Sequence, residues 1–357
     1  IYYNGGNVGI GTSTPSGALT LVGQNSEDVL NVFGTTTIEG RLFSNISSSQ
    51  LSIVSTTSIG SWPVGVVVSG RYAYVANRNS NSISIVDISD PSSIRQISQT
   101  SIPGADSPDY LAIYGSYLYV TNDWSSDVSV IDVSNPYSPK FVLSIPVGSH
   151  PYGIALSGHY AYVVNYGEDT VSVIDISNPV SSKQVATTSV ETGPMSIAIS
   201  GNYAYVTNSN SNTISVLDIS NPIFPIQIAT TSVGTKPQSI SVSGSYVYVA
   251  NFSSNSISVV DISNPNSPVE VANVSSINSP NGMTISGRYA YVANNSYSVT
   301  VVDISRPLNP VKFASLSLSG ETSSIAISGR YAYVTDYEHA MLNAIDLGGV
   351  DIGNLLV

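Results

Sequence analysis

The chain has no cysteine in its 357 residues, which excludes disulfides and thiolate metal sites. Charge is scarce as well. Charged residues make up 10% of the sequence, where about 25% is usual. The polar surface must therefore be built from Ser, Thr and Asn, a composition that suits an extracellular or cell-surface protein better than a cytosolic one. Basic residues are the scarcest, 11 Lys and Arg against 23 Asp and Glu, for a formal net charge of -12. Such a surface repels nucleic acid and anionic lipid and attracts cations or basic partners. No apolar run approaches the roughly 18 residues of a membrane-spanning helix, so no membrane span is expected. Neither a starting Met nor a signal peptide precedes Ile1, and the chain reads as processed or partial, with any export signal already gone.

A repeat fills most of what is present. The phrase Ser-Gly-x-Tyr-Ala-Tyr-Val recurs with small changes, its first tyrosine at Tyr72, Tyr117, Tyr160, Tyr203, Tyr246, Tyr289 and Tyr331. An aspartate closing a β-branched run keeps step with it, at Asp87, Asp132, Asp175, Asp218, Asp261, Asp303 and Asp346. Each unit reads as four short strands punctuated by Gly, Asn and Pro. Four strands in roughly 40–45 residues is the period of a propeller blade. The last unit lacks a Ser-Asn-Pro turn and a fourth strand, whereas residues 50–58 look like a fourth strand placed ahead of the first unit. The expectation is an all-β, seven-bladed β-propeller over 49–347, with residues 50–58 completing the last blade and removing its open edge.

The runs Tyr-Val-x-Asn and Ile-Ser-Val-Val-Asp-Ile-Ser-Asn-Pro resemble the LVIVD and YVTN propeller repeats of prokaryotic surface proteins. That resemblance is specific for fold and says little about function, because one fold hosts many functions. Residues 1–48 stand outside the repeat. Their segment Gly6-Asn7-Val8-Gly9-Ile10-Gly11-Thr12-Ser13-Thr14-Pro15 resembles a motif of phage tail-fibre stalks and large bacterial surface proteins, which implies a β-rich, stalk-like arm. Val29 to Phe43 reads as two further strands. After Gly348-Gly349, residues 348–357 read as a short C-terminal tail strand.

Those ends suggest assembly. Ile1, Tyr2 and Tyr3 at one terminus and Val350, Ile352, Leu355, Leu356 and Val357 at the other are spare apolar strands, suited to pairing with a neighbouring copy by β-strand addition. A head-to-tail contact of that kind need not close, so it builds a homopolymer. The leading expectation is a non-enzymatic extracellular fibre or filament subunit. The alternative is a monomeric adhesin or ligand-binding propeller head on a surface stalk.

A local site is expected where the repeat breaks. The loops joining fourth to first strands and second to third strands share one face of a propeller. They carry Trp62, Asp106, Asp109, Asp123, Trp124, Asp127, His150, Glu168 and Asp169, residues able to bind a surface glycan, a cation or a basic protein segment. The other reading is an ordinary solvated acidic rim. The repeated aspartates are expected to accept hydrogen bonds from turn backbone. The Asn after each second strand, Asn77 to Asn294 with Asp336 in the last unit, is expected to turn the chain or to line the central channel. No Gly-x-Ser-x-Gly elbow, P-loop or metal-ligand spacing of His150, His159 and His339 is present, so no enzyme activity and no cofactor are expected.

Overall fold

The computed structural model describes residues 51–348 in full, together with the backbone of the short strands Tyr2–Asn4, Asn7–Ile10 and Leu19–Leu21. The chain divides into two units, the larger within Ile46–Gly353 and a smaller one built on Ile1–Asn45.

The larger unit is a seven-bladed β-propeller. Blade one is Pro63–Ser69, Tyr72–Asn77, Ser82–Asp87 and Arg95–Ser101, and the next five blades repeat this order of four antiparallel strands. In blade seven, Thr322–Ser328, Tyr331–Asp336 and Met341–Asp346 are completed by Ser52–Ser58, with Asp346 opposite Ser52 and Met341 opposite Ser58. Strand addition from the front of the chain thus closes the ring, as the register of the repeat required.

Alternation decides which residues are buried. In every second strand, the phrase Tyr-x-Tyr-Val places the second tyrosine and the valine between blades; Tyr119, Tyr162, Tyr205, Tyr248 and Tyr333 are among the largest fully buried side chains. Burying such a ring removes about 150–250 Å² of surface. Each blade's third strand supplies Ile, Val and Leu to the same layers. Small residues of the first strands, including Ala112, Ala155 and Ala326, border a cavity of about 440 Å³ along the centre of the ring.

Blades meet closely where a first strand lies against the next one. A Cβ on Gly65 would come within 3.0 Å of the Asp109 carbonyl, one on Gly153 would lie 2.8 Å from Ser196 Cα, and one on Gly282 would strike the Ser323 carbonyl. The backbones approach here because no side chain stands between them.

The repeated polar residues serve the blades. Six of the seven blade aspartates accept the backbone N–H of the serine two places on; Ser134 donates to Asp132 at 2.8 Å and Ser263 to Asp261 at 2.8 Å. Asp346, the seventh, accepts likewise from the Gly348 N–H at 2.8 Å. Hydrogen bonds from the serine, side chain and backbone together, hold the carboxyls of Asp132, Asp175, Asp218 and Asp261 below the usual range. For Asp87, hydrogen-bonded foremost to Arg71, the value falls to about 2. The asparagines do not line the channel. Asn165 is fully buried, with its amide 3.0 Å from Thr170 Oγ1 and 2.9 Å from Ser172 Oγ of the third strand. Asn77 and Asn251 repeat this clamp with Ser82 and Ser84 and with Ser256 and Ser258. The channel expectation fails because the end of the second strand points into the blade, where an amide needs partners.

In the smaller unit, Tyr2–Asn4 pairs antiparallel with Asn7–Ile10, which pairs parallel with Leu19–Leu21. Tyr2 and Tyr3 are opposite Gly9 and Val8 of their own chain, so one side of that strand is already occupied. Ile1, Val350, Ile352, Leu355, Leu356 and Val357, and the two strands expected between Val29 and Phe43, lie outside the described residues.

Candidate functional site at one mouth of the ring

Each blade presents two loop residues at the same mouth of the ring, held together by a backbone hydrogen bond. The residue after the clamp Asn donates its N–H to the carbonyl of the residue just ahead of the first strand: Arg78 to Trp62 at 2.8 Å, Asp123 to Ser107 at 2.9 Å, Tyr166 to His150 at 2.9 Å and Tyr337 to Glu321 at 3.1 Å. In blades one to six the residue ahead of the strand has positive φ, 57° at Trp62 and 52° at His150. The hydrogen bond is common to all seven blades, but the side chains it displays differ, so the mouth is asymmetric on a nearly symmetric frame.

The largest cluster spans blades one to three. The Arg78 guanidinium lies 3.3 Å from Asp109 Oδ1 and is hydrogen-bonded to Asp123 Oδ2. Asp123 Oδ1 is 2.8 Å from His150 Nδ1, and the Tyr152 hydroxyl reaches Asp123 Oδ2 at 3.4 Å. Asp109 and Asp123 are both 2% exposed. Neither Asp109 oxygen receives a hydrogen bond among the described residues. Burial pushes the Asp109 carboxyl up to about 7, opposed by Arg78 and assisted by the charge of Asp123. Burial also raises Tyr152 to about 12. Two carboxylates therefore share one guanidinium in a low-dielectric setting, which favours the charged form of the arginine and the neutral form of one acid.

Aromatic rings flank this cluster. Trp124, 65% exposed, meets His150 edge-on at 6.0 Å, and Tyr152 meets Tyr166 edge-on at 5.7 Å. On the other side, Trp62, 44% exposed, stacks on Tyr337 at 5.3 Å with 22° between planes. The Tyr337 hydroxyl donates to Glu321 and reaches Asn295 Oδ1 at 2.8 Å.

The residues expected at this face divide accordingly. Trp62, Asp109, Asp123, Trp124 and His150 stand in or beside the clusters just described. Asp106 is exposed at the rim, its N–H donated to Ser125 Oγ. Asp127 turns into blade two, where it accepts from Asn122, Ser125 and Ser144. Asp169 accepts the Gly193 N–H at 2.8 Å, the tie that Asn212 makes to Lys236 and Asn255 makes to Ser279. Glu168 is exposed and borders a groove of about 520 Å³ beside blade three. Sequence reasoning overlooked Arg78, Tyr152, Glu321 and Tyr337. Their signal was available: all four occupy repeat positions where the other units vary, and comparing those columns unit by unit would have found them.

The family profile described as LVIVD repeat matches seven segments, residues 64–99, 108–146, 150–187, 194–230, 234–276, 281–316 and 319–346. No curated protein matches the chain. Among solved structures, a functionally unknown protein from Desulfotomaculum acetoxidans DSM 771 is 17% identical, with a TM-score of 0.61 over 74% of this chain and 87% of that one. Virginiamycin B lyase from Staphylococcus aureus is 13% identical, with a TM-score of 0.64 over 83% and 99%. The Cps50 (Swd1) β-propeller domain from Myceliophteria thermophila is 14% identical, with a TM-score of 0.67 over 83% and 99%. At such identities the likeness is one of fold alone, and activity must be argued from the site.

Proposed function

This chain belongs to the LVIVD repeat family of β-propellers, and from that premise we propose that it is a non-enzymatic, extracellular binding head whose ligand docks on the Trp62–Trp124 side of the mouth. One observation carries the reading: a frame that repeats blade by blade displays both tryptophans of the chain, exposed, at this single mouth. Exposed aromatic rings over fixed polar groups are a common way to bind a saccharide ring or a peptide side chain. A binding role rather than a catalytic one is favoured by the polar cluster itself. Arg78, Asp123 and His150 satisfy one another, and among the described residues no hydroxyl nucleophile hydrogen-bonds to the His150 ring.

The test is an array of defined glycans and peptides probed with the wild type and with Trp62→Ala/Trp124→Ala. The expected result is at least one ligand class bound tenfold more weakly by the double variant. An array on which both proteins behave alike would overturn the reading.

A second reading, the filament subunit, has its own observation. Around the third-to-fourth-strand turns, blades four to six expose Ile223, Phe224, Ile226, Val269, Leu308 and Val311, each between 46% and 68%. Beside them the fourth strands have no further neighbour among the described strands, and such an edge is the kind of template that takes an added strand. Light scattering of the full chain and of a variant lacking residues 350–357 separates the two cases. Polymers lost on truncation support strand exchange; a monomer in both samples removes it.

A further inference from the structure

This inference rests on the mouth as the ligand face and concerns the charge of what binds there. The propeller is electrically one-sided. At the mouth loops and the strand ends they carry stand Asp106, Asp109, Asp123, Glu168, Glu191, Glu321 and Glu338, against only Arg78 and Lys236. Every other lysine and arginine of the described propeller lies at the opposite ends of the strands, in first-to-second or third-to-fourth turns or in the first two residues of a fourth strand. There the cations are matched to blade aspartates: Arg71 to Asp87 at 2.8 Å, Arg288 to Asp303 and Arg330 to Asp346. The charge at the turn ends is thus largely balanced within the fold, and the mouth carries most of the excess. A concave acidic surface with low-dielectric walls focuses its field outward and raises the local concentration of cations.

Within the mouth, two neighbouring sectors pair aromatic rings with carboxylates. In the first, the chain supplies its own cation: Arg78 lies on Asp109 and Asp123, beside Tyr152. The second joins blades six, seven and one. Trp62 stacks on Tyr337, whose hydroxyl is held by Glu321, and Tyr297 stands near enough to Glu338 and Glu321 for their charges to raise its phenol above the usual value. Glu321 is half-buried and Glu338 exposed. Among the described residues no lysine or arginine forms an ion pair with either.

We propose that the second sector receives an arginine or lysine side chain of a partner polypeptide, as the first receives Arg78. A planar guanidinium can lie on the ring faces while its N–H groups reach the carboxylates. Charge complementarity fixes the partner's chemistry as a basic segment, and the internal arginine next door shows a pair of mouth carboxylates already filled by a protein cation.

The experiment uses fluorescence anisotropy of a dye-labelled peptide carrying six arginines spaced by glycine, with a glutamine-for-arginine peptide as its neutral counterpart. The wild type is expected to bind the basic peptide at least tenfold more tightly than the neutral one. Glu321→Gln/Glu338→Gln is expected to weaken the basic peptide about tenfold, while Glu270→Gln on a fourth strand leaves it unchanged. Equal affinity for the two peptides, or a Glu321/Glu338 variant that binds like the wild type, overturns the proposal. So does a glucosamine oligomer that binds more tightly and shows the same loss, because the occupant is then a cationic glycan. Neutral array ligands held through Trp62 and Trp124, with no basic peptide bound, would overturn this inference and leave the binding head standing.

Discussion

Gly65→Val is expected to cost the propeller about 3 kcal/mol or more in urea unfolding, at the upper end for an overpacked core position. A Cβ at residue 65 would press on the Asp109 carbonyl within 3.0 Å. That oxygen is backbone, so no rotamer change relieves the contact. Blade one must move away from blade two, and the bridge from Arg78 to Asp109 and Asp123 crosses that same joint. Gly70→Asn is the control. Gly70 sits in a turn at φ 57° with nothing near its absent Cβ, and Asn tolerates that conformation. Its expected cost is under about 0.5 kcal/mol. Equal losses for the two variants would mean that the joint between blades is looser than its packing implies.

Asn165→Ala should cost about 2–3 kcal/mol, because it leaves the hydroxyls of Thr170 and Ser172 without their amide partner inside blade three. Asn165→Asp should also destabilise, and the reason lies in blade seven. There Asp336 occupies the equivalent place and receives the N–H and the ring nitrogen of His339, both at 3.0 Å. Blade three has Glu168 where blade seven has His339, so a carboxylate at 165 would face a like charge. Asn165→Asp/Glu168→His should recover some of the loss. The double-mutant cycle measures the coupling, and a cycle with no coupling would remove His339 as the partner that makes Asp336 tolerable.

Much of the fold was legible because a repeat states the same instruction seven times. The spacing of the Tyr-Ala-Tyr-Val phrase marked the blades, and the missing fourth strand of the last unit pointed to its replacement near Leu51. The strand built from Ser52–Ser58 supplies it. Less of the mouth was legible. Asp127 and Asp169 drew attention as acids, yet Asp127 is bonded into its own blade and Asp169 is spent on the Gly193 N–H of the neighbouring loop. Arg78 escaped notice because a lone arginine in a loop carries no motif; only folding brings it against Asp109 and Asp123, which are distant in sequence. The clamp asparagines looked like turn or channel residues for a related reason. Their partners, Thr170 and Ser172 in blade three, are adjacent in space only once the second and third strands pair, and a composition rich in Ser and Thr gives no hint of which hydroxyls are meant.

The closure of blade seven also decides how the ring would bear load. The chain enters the propeller at Ser52 and leaves the last strand at Asp346, and these two residues face each other at one end of the same antiparallel pair. Tension applied through the two termini would therefore pull on that end alone. The hydrogen bonds from Asp346 to Met341 would break in succession, like the teeth of a zip, instead of sharing the force in shear. The seam that makes the ring continuous at rest would be the first to open under traction, releasing blade seven while the other six remain folded.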